Sequence, residues 1–213
     1  MKQEFKYRLK KIAGLSEGKI ADIGFSLLPN PYLKGEVVGI DIVLPEKKPS
    51  NYSKIVKGDL LKKLPFNDEE FDTVILSGVI EHVENPLKAL KECNRILKPT
   101  GNLLMETPNP YFIPVIFYDL LMNLRYYFDD THVSLFPRRI ILKLLWHTGF
   151  SLKRIYGCGF NFNNYFSVPL PQILSQDLIY QAKKGVSRNK HYSRIISMRK
   201  SNYEDFKFSS FQK

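Results

Sequence analysis

The chain has 213 residues, 44% of them hydrophobic and 25% charged, enough for one domain with a full core and some additions. No apolar run reaches the length of a membrane span, and Met1-Lys2-Gln3-Glu4-Phe5-Lys6 lacks the apolar centre of a signal peptide, so a cytoplasmic protein is expected. The net charge of +11 is uneven: residues 1–130 hold 18 basic and 18 acidic side chains, whereas residues 131–213 hold 14 and 3. Such a field suits an anionic partner (nucleic acid, an anionic membrane surface or a phosphate-bearing substrate), the alternative being a basic surface that only keeps the chain soluble.

In chain order, Phe5, Leu9 and Ile12 recur at helical spacing among lysines and predict an amphipathic helix laid on a sheet. Ile20, Ala21 and Ile23 predict a short buried strand closed by Asp22-Ile23-Gly24. A turn with Pro29 and Pro31 follows, then a second apolar run, Val37 to Ile40, ending on Asp41. A strand, a glycine turn and a second strand ending in an acid is how an open α/β sheet holds an adenosine-containing ligand. Lys54–Lys57 reads as a third strand ending at Gly58-Asp59, and Phe71–Leu76 as a fourth, stopping at Ser77-Gly78.

Asn85 at the cap and Pro86 in the first turn open a helix whose inner face is expected to be Leu87, Leu90, Cys93, Asn94 and Leu97, ending at Lys98-Pro99-Thr100-Gly101. A fifth strand is expected at Leu103–Thr107. Strands that are near-continuous apolar runs, alternating with helices, imply a mainly parallel sheet covered on both faces. From Pro110 to Phe128 one helix face is apolar, which suits either packing on the sheet or a lid over a hydrophobic substrate or membrane surface. A helix over Arg138–His147, a strand over Phe150–Tyr156, a loop from Gly157 to Pro171 and a last strand over Ser175–Ala182 complete the expected domain, residues 1–184. Residues 185–213 form a basic C-terminal extension. Cys93 and Cys158 lack partner spacing and read as reduced thiols.

The stretch GDLLKKLPFNDEEFDTVILSGVIEHVENPLKALKECNRILKPTGNLLMETPN resembles the class I S-adenosylmethionine-dependent methyltransferases. It is most similar to the branch (methyltransferase type 11-like) that acts on small molecules, lipids and glycans. The resemblance rests on Asp59 after the third strand, Leu64-Pro65-Phe66, Phe71-Asp72, Glu81-His82 and the Arg95-to-Pro99 turn, all in that branch's order. It implies an α/β, Rossmann-like, seven-stranded sheet with the last strand antiparallel, inserted between the fifth and sixth, and helices on both faces. The segment 110–135 would then be a helical insertion on the acceptor side.

By that resemblance Asp22 and Gly24 form the turn under the methionine part of S-adenosylmethionine, and Asp41 binds the ribose hydroxyls. Asp59 and the Leu60 backbone read the adenine edge, Ile42 and Leu60 sandwich the ring, and Ser77 sits beneath the sulfonium. His82 and His132 are the candidate bases for the acceptor proton. Each has a structural alternative, as do Asp41 and Asp59 as strand-end acids. No metal site is expected from Glu81, His82 and His132, which lack ligand spacing. The family's further glycines are replaced here by Phe25 to Leu28, so either this loop takes another path or cofactor binding is weak.

The expected function is O- or N-methylation of a small-molecule, glycan or lipid-linked acceptor, anionic by the charge argument, with a peripheral contact to an anionic membrane as a further partner. One alternative is a non-catalytic binding protein of this fold, with Phe25 or Leu28 filling the cleft. Another is an RNA methyltransferase, for which no RNA-binding module is visible. A nicotinamide dehydrogenase is discounted because its glycine fingerprint is absent.

Overall fold

The computed structural model describes residues 6–113, 116, 134–158, 160–162, 166–168 and 172–185. Its elements in order are α1 (Lys6–Leu15), β1 (Ile20–Ile23), β2 (Val37–Asp41), β3 (Lys54–Lys57), β4 (Phe71–Ser77), α2 (Pro86–Ile96), β5 (Leu97–Pro108), α3 (Arg138–His147), β6 (Phe150–Gly157), β7 (Phe160–Phe162), β8 (Phe166–Val168) and β9 (Asp177–Lys184). Seven strands form one sheet in the order β3-β2-β1-β4-β5-β9-β6. The neighbours β3/β2, β2/β1, β1/β4 and β4/β5 are parallel, and β9 runs antiparallel to both β5 and β6. The Rossmann-like sheet with its last strand antiparallel, inserted between the fifth and sixth, is therefore the one expected.

Alternation along the strands sorts the core into two layers. Ala21, Ile23, Val38, Ile40, Val74, Leu76, Leu103 and Met105 point to one face, where α2 and α3 cover them with Leu90, Cys93, Ile96, Ile141 and Leu145. Ile20, Val37, Ile75, Leu104 and Ile179 point to the other, where Ile12 of α1, Phe25, Leu33 and Tyr52 meet them. No helix stands between β1 and β2. The N-terminal helix and the loop after β1 together cover the second face there. Gly39 on β2 makes this possible, because a Cβ at that position would lie 2.7 Å from the Phe25 ring. Phe25 in turn stacks on Tyr52 with centroids 5.1 Å apart.

Three local expectations are corrected. Helix α2 has the expected cap, Asn85 accepting from the Lys88 N–H at 3.0 Å, but it ends at Ile96, and its buried face is Ala89, Leu90, Cys93 and Ile96, with Leu87 40% exposed. Strand β5 begins six residues early: Leu97 already pairs with Phe71, and the chain re-enters register at Asn102 opposite Thr73 after a bulge through Pro99-Thr100-Gly101. That bulge places Thr100 at φ 62°, which the sequence reads as a turn. Within the stretch 157–171, expected as loop, β7 and β8 pair antiparallel as a small hairpin.

The Phe-Asp and Arg-to-Pro motifs act in this scaffold. Asp72 accepts the Lys19 backbone N–H at 2.9 Å and the Lys98 ammonium at 2.8 Å, joining the N-termini of β1 and β4 to the start of β5. Arg95 donates to the carbonyls of Leu64 and Phe66 and to Glu92, while Glu92 accepts the Leu64 N–H. The loop between β3 and β4 is thereby fastened onto α2.

Candidate active site

In an open α/β sheet the ligand edge is the carboxyl end of the parallel strands. Along that edge the chain sets Asp59 beyond β3, Asp41 at the end of β2, Gly24 beyond β1 and Ser77 at the end of β4, in strand order. Adjacent strands are about 4.8 Å apart.

Asp41 accepts two backbone N–H groups, Ser26 at 3.0 Å on one oxygen and Val43 at 3.3 Å on the other. A carboxylate offers about four lone-pair sites, so two remain for a diol. Asp59 accepts the Leu61 N–H at 2.8 Å on Oδ1. Ile42, following Asp41, is 60% exposed and has an apolar face free for a ring. Leu60 is placed differently: it is 7% exposed and belongs to the core, with only its edge on a surface groove of about 460 Å3 flanked by Lys62, Lys63, Lys88 and Lys91. Its backbone adjoins Asp59, as expected, but its side chain is a core residue.

Gly24 has φ +78°, and a Cβ there would overlap the Val79 methyl Cγ2, so any other residue at this position is strained on steric and conformational grounds. Its N–H donates to the Ile40 carbonyl at 2.8 Å, tying the turn to β2. The loop that follows does take its own path. Asn30 is its anchor: its side chain donates to the Leu9 carbonyl of α1 at 2.9 Å and accepts the Tyr32 N–H at 3.0 Å, and its backbone N–H donates to the Tyr52 hydroxyl at 3.0 Å. Tyr52 donates in turn to Asp22. Phe25 lies against Gly39 and Tyr52 in the core, and Leu27 stands in solvent.

Asp22 is 4% exposed, and burial, with the neighbouring Asp41 charge adding and the Tyr52 hydrogen bond opposing, pushes its carboxyl up to about 7. Ser77 donates to Glu106 Oε2 at 2.8 Å. His82 is exposed at the end of a short 3-10 turn, Ile80–His82, while Glu81 beside it is buried. His132 lies outside the described residues.

Three residues that sequence reasoning did not single out, Arg8, Glu106 and Asp177, converge with Glu81 beside Ser77. Arg8 of α1 donates to Glu106 at 3.0 Å and lies 3.7 Å from Asp177, the first residue of β9. Burial raises Glu81 to about 8, with Glu106 and Asp177 pushing the same way and Arg8 opposing. Burial and Glu106 likewise raise Asp177. A signal for two of them was present. Glu106 shares a strand face with buried Leu104, and Arg8 lies one helical turn before buried Ile12, so both are charges at core-facing positions.

The edge from Asp59 to Ser77 thus offers carboxylates with spare acceptor capacity, a closed glycine turn and an exposed apolar side chain, a donor set that fits S-adenosylmethionine. Comparison with known proteins agrees. Residues 25–154 match the family model described as a methyltransferase domain. The chain is 42% identical over 89 residues to a demethylmenaquinone methyltransferase of Staphylococcus carnosus (38% of this chain, 36% of that protein) and 43% identical over 84 residues to that of Staphylococcus aureus strain JH9 (36% and 34%). It therefore spans about a third of the length of these curated relatives. Among solved structures it is similar to an S-adenosylmethionine-dependent methyltransferase of Thermotoga maritima described as a possible histamine N-methyltransferase (TM-score 0.64, 21% identity, 84% of this chain and 89% of that one). It is also similar to an S-adenosylmethionine-dependent methyltransferase of Archaeoglobus fulgidus (TM-score 0.62, 22% identity, 86% and 95%). With that match over more than half its length, on a sheet of the corresponding topology, the chain belongs to the methyltransferase domain family of S-adenosylmethionine-dependent enzymes.

Proposed function

We propose that this chain transfers a methyl group from S-adenosylmethionine to a small-molecule acceptor at nitrogen or oxygen. The carrying observation is Asp41, a carboxylate held in place by two backbone N–H groups at the end of β2 with its remaining lone pairs open to a diol. In this reading Asp41 holds the ribose hydroxyls, Asp59 and the backbone at Leu60 meet the adenine edge, and Ile42 covers one face of the ring. The Asp22–Gly24 turn and Ser77 lie under the methionine half. The bound cofactor supplies an electrophilic methyl group whose thioether leaving group needs no proton. The protein's part is then alignment, exclusion of water and custody of the acceptor proton.

The segment 110–135, most of it outside the described residues, is proposed as the acceptor-side insertion, with His132 on it. The exposed side chains of Tyr111 and Ile113 begin it directly after β5. His82, exposed on the same edge, is the other imidazole available to an acceptor proton. The basic excess of residues 131–213 is assigned to contact with an anionic surface, and residues 186–213 also lie outside the described residues. No helix among the described residues is long and apolar enough to cross a membrane. Two buried free thiols, Cys93 and Cys158, support a cytoplasmic setting.

Isothermal titration of the full chain with S-adenosylmethionine tests the reading. Binding is expected, and Asp41→Asn should weaken it about tenfold, the scale of one charge-assisted hydrogen bond. No heat at millimolar cofactor would overturn it and favour the non-catalytic alternative.

A further inference from the structure

Glu81 is 2% exposed, yet its Oε2 has no hydrogen-bond partner. A buried carboxylate oxygen left unpaired costs about 1–3 kcal/mol or more, and native structures keep such atoms where something else meets them. Around it, Glu106 is 1% exposed and receives Arg8 on Oε1 and Ser77 on Oε2. Asp177 shares the same guanidinium at 3.7 Å. Among the described residues, three carboxylates thus face one guanidinium, and the pair nearest Arg8 takes up its charge. The cluster lies on the sheet face carrying Ser77, one strand further from Asp41, where β4 and β5 end and β9 begins. No three His, Cys, Asp or Glu side chains among the described residues are grouped to hold a metal ion.

We propose that the methyl acceptor is a small organic amine, bound as its ammonium ion by the Glu81 carboxylate with Glu106 and Asp177 behind it. This deepens the methyltransferase reading and rests on it. An ammonium supplies two things the site lacks, a donor for Oε2 and a positive charge for the surplus of carboxylates. Glu81 also has a use for the proton: its transfer turns the ammonium into a neutral amine with a free lone pair and the carboxylate into an acid. As that lone pair forms the new N–C bond, the S–C bond of the sulfonium breaks with its electrons going to sulfur. The products are a thioether and a methylated ammonium with one positive charge. The acceptor expected from net charge alone was anionic; the charges nearest the transfer point have the opposite preference, and the basic excess lies elsewhere in the chain.

The test uses the full chain with S-adenosylhomocysteine bound, titrated with tyramine, histamine and phenethylamine and with the charge-reversed or neutral counterparts 3-phenylpropionate and 2-phenylethanol. At least one amine is expected to bind, and to accept label from S-adenosylmethionine, while the counterparts do neither. In Glu81→Gln, which keeps the shape and can neither pair with an ammonium as a carboxylate nor take up its proton, the amine Kd should rise at least tenfold with the S-adenosylhomocysteine Kd changed less than twofold. Cofactor binding without binding of any of the three amines overturns the proposal and leaves the methyltransferase reading standing. So does a Glu81→Gln variant whose loss falls on the cofactor, because the carboxylate would then face the sulfonium side. Absence of cofactor binding in the unaltered chain removes both.

Discussion

Asp22→Asn separates what a buried acid does for binding from what it costs the fold. Burial holds the Asp22 carboxyl at about 7, against an ordinary value of 3.8. A folded-state value above the unfolded one means that the neutral form is preferred in the fold. The contribution is therefore intact below pH 3.8 and is lost progressively as pH rises to about 7. A shift of about three units corresponds to about 4 kcal/mol of stability lost at pH 8, of which about 1.5 kcal/mol is already gone at pH 5. Asparagine keeps an oxygen to accept from Tyr52 and cannot ionise. It should therefore raise the urea-unfolding free energy at pH 8 by about 2–3 kcal/mol more than at pH 5, while weakening S-adenosylmethionine binding. The other titrating groups are common to both proteins and cancel in this comparison. An equal change at the two pH values, or a larger gain at pH 5, would refute the reasoning, because Asp22 would then be ionised in the fold without penalty.

Two further outcomes follow from the scaffold. Arg95→Ala should lower stability by about 2–3 kcal/mol in denaturant unfolding, because it releases the Leu64 and Phe66 carbonyls and leaves Glu92 without its cation; Arg95→Lys should recover less than half, since one ammonium cannot span the fork. Gly24→Ala should cost about 2 kcal/mol through its φ of +78° and its overlap with Val79; adding Val79→Ala should relieve the steric part, giving a coupling above about 0.5 kcal/mol in the double-mutant cycle, and strict additivity would refute the contact.

Strands β1, β2, β4 and the middle of β5 were legible because parallel strands buried on both faces read as continuous apolar runs, and the cap of α2 because Asn85-Pro86 is local chemistry. What escaped was non-local. Leu97 looks like the last turn of α2 until its partner Phe71, far back in the chain, claims it for β5. Asn30 looks like a turn residue between two prolines, yet it joins the loop after β1 to α1 and, through Tyr52, to Asp22. The Arg8–Glu106–Asp177 cluster needs three elements far apart in the chain: the local pattern puts Arg8 and Glu106 at core-facing positions but does not pair them with each other or with Asp177.

The residues that carry the family resemblance and the residues that would choose an acceptor are mostly different residues. Asp72, Arg95, Leu64 and Phe66 hold β1, β4, β5, α2 and the loop after β3 together, away from the carboxyl ends of the strands. The proposed cofactor side rests on Asp41 and Asp59, at strand ends that this scaffold fixes in space. Glu81 is the exception: it lies within the family-like stretch, but its surroundings come from outside it, from Arg8 on the N-terminal helix and Asp177 on β9. A short match over that stretch therefore carries the fold and the cofactor across to this chain while saying little about the acceptor, because a change at position 8 or 177 alters the charge around Glu81 and leaves every family motif intact.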